Sequence, residues 1–338
     1  MRRELPLSLH WGHVTAVRER LDGLVWLEVD GNLCIAYPRL TGPVEEGDTV
    51  LVNTQARDLG LELDRGPFDL LYANLTRGLG LAATSAARVL ALPYTPGQIA
   101  LPGTGEGKPG EDGLGGLPVV CCGVHSQVAP VCAALRGLRV GYVQLGGGAL
   151  PVSFSDTVRL LRVRRLIERS VAVAPCLDAE VECVSTASAL LWAAAQGFDA
   201  VVCAVGPGLI GTGTTFGHGA LAVAEAANAA SALGGRPIVV VRVSNREERE
   251  RHRGVSHHTR AALRLCLGRV QMAWPADLVG GEWDPAIVHV DVRDWQRVCE
   301  GLPLEHGGRG PEDDPWFFAA AFAAGRLARQ LRDGETGS

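Results

Sequence analysis

Two stretches of this 338-residue chain carry residue types that bind or transform small molecules. The first, Gly206-Pro207-Gly208-Leu209-Ile210-Gly211-Thr212-Gly213-Thr214-Thr215, follows the apolar run Ala200–Val205. Backbone amides of such a turn, with threonine hydroxyls and the start of a following helix, can cradle an anion. The order G-x-G-x-x-G also matches a dinucleotide fingerprint formally. Against that, the next helix starts late, near Gly219, and the next strand ends in Arg242-Val243-Ser244 without the acidic residue that grips a ribose. The reading is a general anion cradle from Gly206, Gly208, Gly211, Thr212, Gly213 and Thr214, with a packing turn as the plain alternative.

The second stretch is Arg249-Glu250-Arg251-His252-Arg253-Gly254-Val255-Ser256-His257-His258-Thr259. Ser256 is a good N-cap, since its hydroxyl can accept an orphan amide of the helix after it. His257 and His258 then fall in the first helical turn, whose positive dipole end keeps an imidazole neutral near pH 7. Neutral histidine can accept a proton, donate a hydrogen bond or bind a metal. Adjacent helical side chains diverge by about 100°, so His257 and His258 are not expected to aim easily at one atom. His252 is separated from them by Gly254, a spacing that indicates no metal set, and no metal or cofactor is assigned. Arg253 is the expected counter-charge for an anion. The acid–base candidates are His125, His257, His258 and Glu182, the last beside Asp178 and Glu180 after a strand. Ser126 would need a base within hydrogen-bond reach to act as a nucleophile.

Composition narrows the chemistry. Of 32 basic residues only Lys108 is a lysine, and it sits in a Gly/Pro-rich segment. Schiff-base chemistry and a phosphate-loop lysine are therefore disfavoured, and anions must be held by arginine, amides or hydroxyls. A net charge of −5 gives no whole-chain attraction to nucleic acid or anionic membrane. The nine cysteines show no C-x-x-C spacing, which points to reduced thiols in a cytoplasmic protein. The longest uncharged stretch, 200–224, is broken by seven glycines or prolines up to Gly219 and is no membrane span. The expected partners are a small anionic molecule and a second copy of the chain.

The elements that must position these residues fall into two groups. Residues 10–76 hold short strands with turn chemistry between them. Val25–Val29 and Leu33–Tyr37 flank Asp30-Gly31-Asn32, a hairpin signal. About five strands in this span suggest a small antiparallel β-barrel-like domain over 1–94. Residues 95–117 read as a Gly/Pro-rich linker or loop. From 118 to 338, uniformly apolar strands alternate with helices, predicting a doubly wound, mainly parallel α/β domain of Rossmann-like or flavodoxin-like type. In such sheets ligands bind beyond the carboxyl ends of the strands, which is where the glycine turns, His125 and Ser244-Asn245 fall.

These motifs also resemble a known family. Leu40-Thr41-Gly42-Pro43-Val44, Gly47-Asp48-Thr49-Val50, His125-Ser126, the 206–214 turn, His252 to Thr259 and Asp314-Pro315-Trp316-Phe317-Phe318 are similar, in order, to the bacterial family known as domain of unknown function 3866. The resemblance spans nearly the whole chain and implies no activity. Two departures from the family pattern stand out: Ala91-Leu92-Pro93 where basic residues precede Tyr94-Thr95-Pro96, and lost glycines beside Glu182. Three functional readings stay open. They are binding, with or without turnover, of a small anion such as a phosphorylated metabolite; a non-catalytic sensor or homodimeric scaffold; and metal-assisted hydrolysis by His252, His257 and Glu182.

Overall fold

In a computed structural model the described residues are 7–61, 68–77, 87–102, 113–281, 284 and 286–334. They form two compact units, 1–87 and 88–338.

The first unit is a closed five-stranded barrel. Its strands are β1 (Leu9–Leu21), β2 (Leu24–Val29), β3 (Asn32–Ala36), β4 (Thr49–Asn53) and β5 (Asp69–Asn74), in the order β1-β2-β3-β5-β4. Short helices α1 (Pro38–Thr41) and α2 (Gln55–Asp58) fill its connections. Asp30 and Gly31 both take positive φ, 48° and 81°, the two-residue turn whose twist matches a hairpin. The alternation that closes the barrel is plain on β4, where Val50 and Val52 are buried between half-buried neighbours. The expectation of an antiparallel barrel needs one correction: β3 and β5 pair in parallel, because α1, β4 and α2 intervene between them.

At the start of the second unit stands a two-stranded pair, β6 (Ala87–Ala91), whose first residue closes the first unit, and β7 (Ile99–Pro102). Part of the stretch read as linker is thus paired; residues 103–112, including Lys108, lie outside the described residues. Then comes a six-stranded, wholly parallel sheet. Its strands are β8 (Pro118–Cys122), β9 (Val140–Leu145), β10 (Arg169–Val173), β11 (Val181–Cys183), β12 (Ala200–Val205) and β13 (Arg236–Val239). Their order is β11-β10-β9-β12-β8-β13. Alternate residues of each strand enter two different cores. Val120 and Cys122 face α3 (Val128–Ala134), α4 (Asp156–Val163) and α9 (Pro315–Asp333). Val119 and Cys121 face α5 (Thr186–Ala195), α6 (Ala222–Ala232) and α7 (His257–Leu265). Burial on both faces is why these strands read as unbroken apolar runs.

Three smaller elements complete the unit. β14 (Val243–Ser244) and β15 (Gly254–Val255) form an antiparallel clip that closes residues 245–253 into a loop. β16 (Met272–Pro275) and β17 (Ile287–Val290) pair in parallel and adjoin β13 through an Ile238–Gln271 bridge. The helix α8 (Trp295–Val298) precedes α9. The crossovers from β9 to β10 and from β12 to β13 leave in opposite directions, so the switch point where doubly wound sheets bind ligands lies between β9 and β12, beside the loop after β8. Among the described residues no helix is long and apolar enough to cross a membrane.

Candidate functional site

The glycine turn after β12 is an excursion rather than a compact cradle. Gly211 bridges back to His218, and the Thr212 amide donates to the Gly217 carbonyl at 2.7 Å. Thr212 and Thr214 are exposed, with their hydroxyls 3.1 Å apart, and Gly208 is exposed at φ +69°. Several glycines exist for close backbone approach between this turn and residues 147–149. A Cβ on Gly206 would lie 2.1 Å from the Ala149 oxygen, one on Gly148 2.2 Å from the Gly206 oxygen, and one on Gly219 2.0 Å from the Gly147 oxygen. The turn thereby delivers its last residue, His218, onto the start of α7.

What gathers there is a group of four imidazoles. Ser256 caps α7, accepting the His258 amide at 3.2 Å, and sets His257 and His258 in the first turn. The clip of β14 and β15 returns His252 beside them, its Nδ1 2.7 Å from the Ser256 hydroxyl. His218 stacks on His258, with ring centroids 3.9 Å apart, and meets His257 edge-on at 5.4 Å. His257 and His258 themselves lie 4.4 Å apart. This corrects the expectation that these neighbours diverge too far to converge. Two flexible χ angles at a helix start, with His218 packed against both, outweigh the 100° backbone rotation. His218 was not among the sequence candidates, and its only signal is its place at the closing end of the glycine turn.

Burial keeps all four rings neutral. It is the largest cause in each case, pulling His252 down to about 3 and His258 to about 2, and it lowers His218 and His257 as well. Nearby charge adds to this. Arg242 donates from Nη1 to His258 Nδ1 at 3.2 Å and from Nη2 to Glu247 at 3.3 Å. Burial pushes this guanidinium down to about 10. Glu247 also pairs with Arg249 and Arg309, and Arg309 lies 3.5 Å from the buried Asp314. On the exposed rim, Arg251 donates to the Gly213 carbonyl at 3.1 Å, tying the two loops together. Arg253 is exposed and reaches the Glu247 carbonyl at 3.4 Å.

The other candidates sit apart from this group. His125 lies after β8, but its Nδ1 donates to the Val205 carbonyl at 3.0 Å and its Nε2 is 2.6 Å from the Ser155 hydroxyl. Both ring nitrogens are therefore engaged. Ser126 does have a base in reach, His306 Nδ1 at 2.9 Å, yet burial drops that imidazole to about 3, a poor proton acceptor near pH 7. Glu182 is on β11, at the sheet edge opposite β13, about 24 Å away at the usual strand spacing. Its carboxylate accepts the Ala179 amide at 3.0 Å, and burial raises it to about 7.

Volume and chemistry do not coincide in this molecule. Cavities of 390 and 410 Å3 are lined around Cys266 and Met272 and around Trp295 and Leu304, with no histidine in either. Beneath His258 and Arg242 the space is only about 10 Å3. Four neutral imidazoles and a shared carboxylate are a more specific arrangement than either groove.

No curated protein and no solved structure matches this chain. A family model described as protein of unknown function (DUF3866) matches residues 33–325, which take in β3 from its second residue, β4, β5 and the whole histidine group. The chain belongs to the DUF3866 family.

Proposed function

We propose that this protein binds a small anionic ligand, such as a phosphorylated metabolite, at the carboxyl edge of its parallel sheet, between the 206–219 turn and the 245–258 segment. The observation that carries this reading is a cationic excess. Three guanidiniums, Arg242, Arg249 and Arg309, share Glu247, while Arg251 and Arg253 have no carboxylate partner among the described residues. Arg242 is only 6% exposed, so an added negative charge nearby would offset part of its desolvation. Thr212 and Thr214 offer exposed hydroxyls on the same rim, and the neutral ring of His257 can hydrogen-bond a ligand there.

The competing scaffold reading draws on the close backbone packing of Gly148, Gly206 and Gly219, which accounts for those glycines without any ligand. It does not account for the unbalanced arginines. A cytoplasmic homodimer is the setting we propose, in keeping with nine free cysteines, and sedimentation velocity tests the dimer.

Binding is tested by thermal-shift titration with inorganic phosphate, pyrophosphate and a panel of phosphorylated metabolites. A ligand at a hundred times its dissociation constant stabilises the fold by about 2.7 kcal/mol. The expected result is a concentration-dependent shift that the double substitution Arg251→Gln, Arg253→Gln abolishes. No shift with any anion, or a shift that survives both substitutions, overturns the reading.

A further inference from the structure

We propose that His218, His257 and His258 form a binding site for one divalent transition-metal ion of the zinc class. One potential ligand atom from each residue lies within 4.8 Å of the others. Nitrogens around a tetrahedral zinc stand about 3.3 Å apart, given zinc–nitrogen bonds near 2.05 Å, so modest side-chain rotation closes the set.

The hydrogen bonds say which nitrogens are available. His218 Nε2 lies 3.0 Å from the Thr215 carbonyl, which can only accept, so Nε2 carries the hydrogen and Nδ1 holds the lone pair. Among the described residues that Nδ1 is buried with no partner, in a residue 8% exposed. A carbonyl fixing the distal ring hydrogen is also how metal-binding histidines are commonly oriented. His257 Nε2 is likewise buried and unpartnered. The third lone pair, on His258 Nδ1, is occupied by Arg242, because a guanidinium only donates. An arriving cation replaces that N–H, and Arg242 keeps Glu247 as its counter-charge.

Buried polar nitrogens without partners are costly, and a single electrophile held with His258 satisfies both His218 Nδ1 and His257 Nε2. The helix start and Arg242 oppose a positive ion, and an anion or hydroxide in the fourth coordination position offsets that repulsion. All-imidazole ligation favours zinc, cobalt, nickel or copper over magnesium or calcium. Three ligands leave a fourth position open to water or an anion, as in catalytic rather than structural zinc sites. The metal site does not rest on the anion reading, although the fourth position would give such an anion its place.

The test uses tag-free, chelator-treated protein in phosphate-free buffer, titrated with Zn2+ by calorimetry and with Co2+ by visible absorption. The expected result is one ion per chain, with cobalt spectra of tetrahedral intensity. His218→Ala and His257→Ala should each weaken binding by about a hundredfold or more, beyond the loss typical of supporting residues. His289→Gln, an exposed histidine elsewhere in the same unit, should leave affinity unchanged. Circular dichroism checks that each variant is folded. If a variant unfolds, His218→Gln, which keeps a polar side chain of similar reach, replaces it. Absence of stoichiometric binding to the wild type overturns the proposal, as does full affinity in the folded His218 and His257 variants or loss of affinity in His289→Gln. Anion binding measured without metal is unaffected by these outcomes, so the two readings fail separately.

Discussion

At Glu182 burial acts on a single ionisable side chain. The carboxyl is 5% exposed, Asp178 sits beside it, and Cys176 and Cys183 are its thiol neighbours. Desolvation raises it from 4.5 to about 7, against the opposing pull of the Ala179 and Asp178 amides. Because the folded pKa is the higher one, the folded chain holds this proton more tightly than the unfolded chain does. Stability from this group is therefore full below about pH 4.5, falls as pH rises to about 7, and is level above that. The difference corresponds to about 3 kcal/mol. Glu182→Gln, which cannot ionise, should raise the urea midpoint relative to wild type at pH 8 and give little gain at pH 4.5. An equal gain at both pH values would mean that ionisation of Glu182 is not the cause. The residue thus has a structural account of its pKa at the far edge of the sheet from the histidine group.

At the scale of elements, the histidine group depends on how two loops touch. The 147–149 turn and the 206–219 turn approach backbone to backbone, and a methyl at Gly148 would fall 2.2 Å from the Gly206 oxygen. The obstacle is main chain and cannot swing aside. Gly148→Ala should therefore destabilise by about 3 kcal/mol, the upper range for overpacking. Gly208→Ala meets nothing within 4 Å and strains only a left-handed φ of +69°, at about 1 kcal/mol. Denaturant midpoints of the two variants decide between these costs, and equal losses would show that close approach does not hold the loops. On the other side of the group, Ser256 serves two elements at once, capping α7 and bonding His252 across the β14–β15 clip. Neither loop would present its histidines without the element that anchors it.

At the scale of the molecule, the barrel and the α/β unit each enclose their own buried set, Val14 to Leu71 in the one and the two faces of the six-stranded sheet in the other. Residues 88–338 expressed alone should unfold cooperatively and retain a helical circular-dichroism spectrum; a molten or aggregated product would mean that the barrel is needed for folding. Much of this architecture was legible from the chain alone. Apolar runs such as Ala200–Val205, the Asp30-Gly31 turn and the Ser256 cap each carry a local rule, because period, turn chemistry and capping act over a few residues. Local order thus determined the two fold classes, most helices and the edge of the sheet where the glycine turn and His257-His258 lie. It did not determine the parallel β3–β5 closure, whose partners are distant in sequence, nor the short strand β11 and the clip of β14 and β15, which are too brief to show a period of their own. Nor did it bring His218 to His257, about forty residues on, or set Arg242 against His258. Only the tertiary structure decided those meetings, because they depend on crossover order and loop packing. Which lone pairs are left buried and unpartnered follows from what surrounds them in space, and no spacing in the sequence encodes it.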